Sequence, residues 1–166
     1  MKVKTTAIFL LTNTPQQILA THAFAEQSIT RIVQYLKPST EFTGLPRYTI
    51  FIKHEEDLHA FVKQIPELAW EMLEYAEEPL ELVYPQKKYS PPFEDDNFIS
   101  IRLVKQNKLN QLVHKFGPLI TFPLEPSASY PDLPIDEEIN CGDKKSPYHS
   151  VKTMKLFDDG SFTFLR

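Results

Sequence analysis

The sequence predicts an α/β fold, a twisted mixed sheet with helices packed on it, and three observations carry that expectation. Short apolar runs rich in Ile, Leu, Phe and Tyr alternate with segments whose apolar residues recur at helical spacing. Pro, Asn, Asp and Gly punctuate the junctions. The last segment reads as a hairpin, which adds an antiparallel component to the alternating pattern. With 166 residues, 42% of them hydrophobic, the chain is long enough for one sizeable core, so residues 1–166 are read as a single domain.

Thr5 to Thr12 is a buried strand ended by Asn13-Thr14-Pro15. Ile29, Ile32, Val33 and Leu36 fall at i, i+3, i+4, i+7 and predict a helix with Ser28 as its N-cap. Lys37-Pro38 ends it, because a residue before proline is pushed out of the helical region. Tyr48 to Lys53 is a second strand. Leu58, Phe61, Val62 and Ile65 repeat the helical spacing behind Glu55, Glu56 and Asp57, which suit a helix N-terminus. Pro66 opens another helix with Ala69, Met72, Leu73 and Ala76 on its apolar face.

Leu80 to Tyr84 is a strand, and Pro85 to Asn97 a polar, proline-rich surface loop. Phe98 to Leu103 alternates, with Ser100 and Arg102 on one face and Ile99, Ile101 and Leu103 on the other. Leu109, Leu112, Val113 and Phe116 form a fourth helix closed by Gly117, followed by a strand from Leu119 to Phe122. After a proline-rich loop from Pro123 to Pro134 come Val151 to Phe157, a turn at Asp158-Asp159-Gly160, and Ser161 to Leu165.

Composition narrows the function classes. The net charge is −4, with both signs mixed along the chain, whereas a dedicated nucleic-acid binder carries a basic excess. The single cysteine, Cys141, forms no internal disulfide, and the apolar run near the N-terminus is too short to span a bilayer. Pro15-Gln16-Gln17 does not resemble a signal-peptide cleavage site, so the expected location is the cytoplasm, with no membrane partner.

Most side-chain groupings have plain readings. His54 and His59 are five residues apart, off a common helical face, and no third ligand is spaced to complete a metal site. Cys141 has no base placed by sequence to activate it and reads as structural or incidental. Asp95-Asp96 and Glu137-Glu138 sit in polar stretches and read as solvated charges. The four glycines, Gly44, Gly117, Gly142 and Gly160, form neither GxGxxG nor GxxxxGK[ST], which argues against a Rossmann site and a P-loop. Arg102 stands out, because a guanidinium on an inner strand needs an anionic partner or an exit to water.

A family resemblance adds to this. Residues 99–122, ISIRLVKQNKLNQLVHKFGPLITF, resemble the YrdC/YciO-type domain. In that family a strand ending V-R-hydrophobic-P leads to a helix, a G-P-L strand and a T-S-A-N-x-S-G turn. LTNTPQQILATHAFAEQSITRIVQYLK resembles its P-T-D-T-x-Y-G-L segment and the helix ending in K-x-R. TIFIKHEEDLHAFVKQIPELAWEMLEYAEEPLELVYP resembles its strand, two helices and following strand, and SVKTMKLFDDGSFTFLR its closing strands.

The resemblance implies a ligand-binding surface and, in active members, synthesis of threonylcarbamoyl-AMP from threonine, bicarbonate and ATP for threonylcarbamoyladenosine in tRNA. Related domains bind nucleotides or double-stranded RNA. It points to Thr12, Thr14, Lys37, Arg102, Ser127 and Ser150 as ligand-binding residues, names no catalytic residue, and implies ATP and threonine as ligands where activity is retained.

The motifs depart from the family's pattern at several positions. Asn13 replaces the acid of T-D-T, Gln16-Gln17 the Tyr-Gly, and Ser39 the arginine of K-x-R. Val104 replaces the strand's proline. Phe122, Pro123, Leu124 and Glu125 occupy the T, S, A and N positions, and Ala128 the final glycine. Making an acyl-phosphate anhydride from ATP needs concentrated positive charge, and Glu125 brings a carboxylate instead. The expectation is a divergent YrdC-like domain that binds a nucleotide or RNA with weak or lost synthase activity. The alternatives are a non-enzymatic interaction domain and an active synthase in which Arg47 or Lys53 replaces the lost cations.

Overall fold

A computed structural model describes residues 7–12, 18–35, 48–75, 80–89, 97–105, 107–124, 135–141 and 152–165. Nine strands among them form one sheet: β1 (Ile8–Thr12), β2 (Ile18–His22), β3 (Thr49–Ile52), β4 (Leu80–Tyr84), β5 (Ile99–Leu103), β6 (Leu119–Pro123), β7 (Glu137–Asn140), β8 (Lys152–Leu156) and β9 (Phe162–Phe164). Their order is β7-β1-β2-β6-β3-β5-β4-β8-β9. The sheet is mixed, as expected: β1–β7, β3–β5 and β4–β8 pair in parallel and the remaining neighbours antiparallel.

Alternation along each strand divides the sheet into two faces. One is covered by α1 (Glu26–Tyr35), α2 (Glu67–Tyr75) and a 3-10 helix (Glu55–Ala60). Ile8, Leu19, Ile50, Ile52, Leu82, Tyr84, Ile99, Ile101, Ile120, Phe122, Met154 and Leu156 meet Ile29, Ile32, Leu58, Ala69 and Leu73 there in one apolar cluster. Burying each such side chain contributes about 1.5–3 kcal/mol, so this face supplies most of the core. The opposite face carries α3 (Asn107–Phe116), whose Leu109, Leu112 and Val113 pack on Phe9, Leu11, Ala20, Phe51 and Leu119. α3 ends at Gly117, which adopts φ +80° and donates its N–H to the Val113 carbonyl at 2.7 Å, the left-handed cap expected of it.

Several local expectations are corrected. β2 and β7 lie in stretches where the sequence predicts no strand, and Glu137 and Glu138, expected in a polar loop, belong to β7, exposed on an edge strand. Ser28 does not cap α1. The helix begins two residues earlier, the Ile29 N–H bonds to the Ala25 carbonyl at 3.0 Å, and Ser28 is buried in the first turn. The segment around Leu58 is a 3-10 helix of six residues rather than an α-helix running to Ile65. Spacing of three fits either helix, and the shorter one turns Phe61 and Val62 into the core. The closing hairpin is present, with Gly160 at φ +87° in its turn. Among the described residues no helix is long and apolar enough to cross a membrane.

Candidate functional site

The α3 face is only partly apolar. Beyond α3, across the central strands, alternate positions carry polar side chains that are buried. Register places them in two rows. Thr121 on β6 lies opposite Thr49 on β3, and Thr49 beside Ser100 on β5. In the second row Phe51 on β3 neighbours Arg102 on β5, Arg102 is opposite Glu81 on β4, and Glu81 neighbours Thr153 on β8.

A buried hydroxyl or charge is tolerated only when it is hydrogen-bonded, and the rows meet that condition. The Thr121 hydroxyl donates to the Thr49 carbonyl at 2.8 Å, and the Thr49 and Ser100 hydroxyls share a hydrogen bond at 3.3 Å. Arg102 donates Nε–H to Glu81 Oε1 at 3.1 Å and a second N–H from Nη2 to the same oxygen. The Thr153 hydroxyl lies 3.5 Å from Glu81 Oε2, and the guanidinium sits over the Phe51 ring, 4.7 Å from its centroid. The anionic partner that an inner-strand arginine requires is therefore Glu81, supplied by the neighbouring strand. Chemically the patch is a buried polar network whose hydroxyls bond within the sheet and whose charge is paired.

Of the residues expected to bind a ligand, Thr14, Lys37, Ser127 and Ser150 lie outside the described residues, as do Arg47 and Glu125. Thr12 and Arg102 are described and are not brought together. Thr12 ends β1, shares the alternation of Ile8 and Leu10, and donates its hydroxyl to the Ile139 carbonyl at 3.4 Å. Arg102 is on the other face, four strand positions away at roughly 4.8 Å each. Thr12, Tyr48 and Leu124 do lie at one end of the sheet, together with Ile18 and Pro123. Lys53 leaves β3 at the opposite end, where its ammonium donates to His114 Nδ1 on α3 at 2.9 Å.

No family model matches the sequence, and no curated protein resembles it significantly. Solved structures do. Sua5 from P. abyssi, solved complexed with L-threonine, superposes with a TM-score of 0.70 at 20% identity, covering 97% of this chain and 50% of that one. YciO from E. coli gives 0.69 at 14% identity, covering 96% and 82%. Full-length HypF in a phosphate- and nucleotide-bound form gives 0.64 at 14% identity, covering 97% and 27%. The fold is YrdC-like. The chain spans about half the length of the Sua5 chains it matches.

Within this fold, the positions that the sequence resemblance sets against the family's motifs serve packing and the sheet ladder. Phe122 and Leu124, at the T and A positions of the turn, are buried in the α1/α2 core, and Pro123 between them closes β6 opposite Ile18. Val104, where the family has proline, donates its N–H to the Ile52 carbonyl at 2.9 Å and so extends the β3–β5 ladder, a bond that proline cannot make. Cys141 is buried against Ala7, Phe9 and Leu11, and burial pushes its thiol up to about 11, with Lys108 opposing part of the shift. A thiol held neutral in this way is a packing residue.

Sequence reasoning missed Glu81, Thr49, Thr121 and Thr153. Part of the signal for Glu81 was available: Leu80 to Tyr84 and Phe98 to Leu103 both read as strands, one holding a glutamate and the other an arginine in need of an anion or an exit to water. The three threonines gave none, because Thr is common in any strand.

Proposed function

We propose that this chain is a YrdC-like domain that binds a nucleotide or RNA ligand, in a role related to threonylcarbamoyladenosine synthesis in tRNA, with weak or lost synthase activity. The observation that carries the reading is fold correspondence over 97% of the chain with a Sua5 solved with L-threonine and a HypF solved with phosphate and nucleotide. Weak catalysis is supported by Phe122 and Leu124, whose side chains are committed to the core at positions where active relatives place a polar turn. The lone cysteine is consistent with a cytoplasmic setting.

Isothermal titration with ATP and with L-threonine tests the binding half. Saturable heat is expected for at least one, and absence of saturation with both, and with RNA, would sink the proposal. Pyrophosphate release tests the catalytic half: a threonine-dependent rate near background is expected, and robust turnover would overturn that part alone.

A second reading, a non-enzymatic interaction domain, is favoured by one observation. The guanidinium of Arg102 is engaged by Glu81 instead of being presented to a ligand. Titrations silent with ATP, L-threonine and RNA would select it.

A further inference from the structure

Among the described residues the sheet has two edges, and they are built differently. β7, at one edge, carries Glu137 and Glu138, both exposed, and charge on an edge strand opposes addition of another strand. β9, at the other, is Phe162-Thr163-Phe164, with neither charge nor proline. Phe162 and Phe164 are 49% and 59% exposed, among the most exposed large apolar residues described. Their rings meet edge to face, centroids 5.9 Å apart. Phe164 pairs with Met154 and Phe162 with Leu156, so both rings continue the α1/α2 face outward from two buried core residues.

The ladder decides which backbone groups point outward. Phe157 N–H bonds to the Ser161 carbonyl at 3.0 Å and Leu165 N–H to the Thr153 carbonyl at 2.8 Å. Antiparallel pairs alternate in type, so Lys155 and Thr163, midway between, are a hydrogen-bonded pair as well. The N–H and C=O of Thr163 thus face β8, and those of Phe162 and Phe164 face away from the sheet.

We infer that β9 pairs antiparallel with β9 of a second copy of this chain, with Thr163 on the two-fold axis. Phe-Thr-Phe reads the same in both directions, so in this register Phe162 of each copy faces Phe164 of the other. Those are the residues whose N–H and C=O groups turn outward, and each pair exchanges two hydrogen bonds. Thr163 meets its own copy at the close, non-bonded spacing. All four rings stay on one face, continuous with Met154 and Leu156, and aromatic pairs across strands are favourable. A slip of one residue would set Phe against Thr and turn a ring to the wrong face. The contact is smaller than the 1,200–2,000 Å² or so of a stable interface, so association is concentration-dependent.

Sedimentation velocity of the full chain from about 1 to about 200 µM reads the association, and the weight-average mass is expected to rise toward twice the monomer. Thr163→Cys tests the register: paired Cα atoms about 4.5 Å apart lie within disulfide range, so mild oxidation should give a covalent dimer. Lys152→Cys, exposed on β8, should cross-link at least tenfold more slowly. Phe162→Glu with Phe164→Glu should stay monomeric while unfolding at nearly the wild-type temperature, because both rings are exposed. A wild-type chain monomeric throughout, a dimer surviving the double substitution, or equal cross-linking of the two cysteine variants would each overturn the inference.

Discussion

The same five central strands present two contrasting faces. Under α1 and α2, alternate residues are Ile, Leu, Phe, Tyr and Met, and burial requires nothing beyond complementary volume. On the α3 face the intervening residues of β3, β4, β5, β6 and β8 include Thr49, Glu81, Ser100, Arg102, Thr121 and Thr153, all buried and polar. Apolar packing tolerates many sequences of similar volume, whereas a buried polar set is stable only in a register that joins each donor to an acceptor. The first face makes the sheet stable, and the second specifies which strands pair.

The largest expected effect breaks that second face. Glu81→Leu leaves Arg102 buried beside Phe51 without its carboxylate, at a cost of about 3–5 kcal/mol in urea unfolding. Adding Arg102→Met should restore stability to within about 1 kcal/mol of wild type, because an apolar pair of similar volume needs no partner. The double variant also separates two roles of Arg102. Lost ATP binding at restored stability would mark it as a ligand contact, and unchanged binding as a structural one.

How much of this was legible in the sequence varies with how local each cause is. β4, β5, β6, the closing hairpin and the Gly117 cap follow from runs and turns that the chain carries within a few residues. β2 does not, because Ile18-Leu-Ala-Thr-His22 has neither strict alternation nor a long apolar run. Its Ala20 and Thr21 are buried because β1 and β6 close on both sides. β7 is further from view, since two glutamates in four residues become a strand only through pairing with β1, over a hundred residues earlier. The Arg102–Glu81 pair lies between these extremes. Arg102's need for an anion or an exit to water was legible, but the choice between them and the partner depended on antiparallel register between β4 and β5.

Neighbouring residues on β5 give a sharper form of the contrast. Ile101 points into the α1/α2 core and Ser100 to the α3 face. Ile101→Ala should cost about 2–5 kcal/mol and leave ligand titrations unchanged apart from the fraction folded. Ser100→Ala removes one hydroxyl from the Thr49 contact, at about 0.5–1.5 kcal/mol, and should weaken ligand binding if the α3 face is the binding surface. If both variants keep full affinity when folded, the binding surface lies elsewhere.

The smallest expected effect concerns His22, at the end of β2 where the two faces meet the β2–α1 turn. Its Nδ1 accepts the Phe24 N–H at 3.2 Å, which assigns the ring proton of the neutral form to Nε2. Nε2 faces Gly117, and a Cβ added there would sit 3.5 Å from it. Burial holds the imidazole below its usual 6.5, and protonation would also cost the bond from Phe24. A histidine whose folded value is depressed gives up stability as pH falls, because the unfolded chain takes up the proton first. The contribution is therefore complete above about pH 6.5, declines below it, and levels off once the folded ring is itself protonated. His22→Gln should lose less melting temperature than wild type between about pH 7.5 and pH 5, by a margin smaller than that of Ser100→Ala because the ring is only half-buried. Equal losses in the two proteins would mean that His22 titrates alike folded and unfolded, and that the turn is indifferent to its charge.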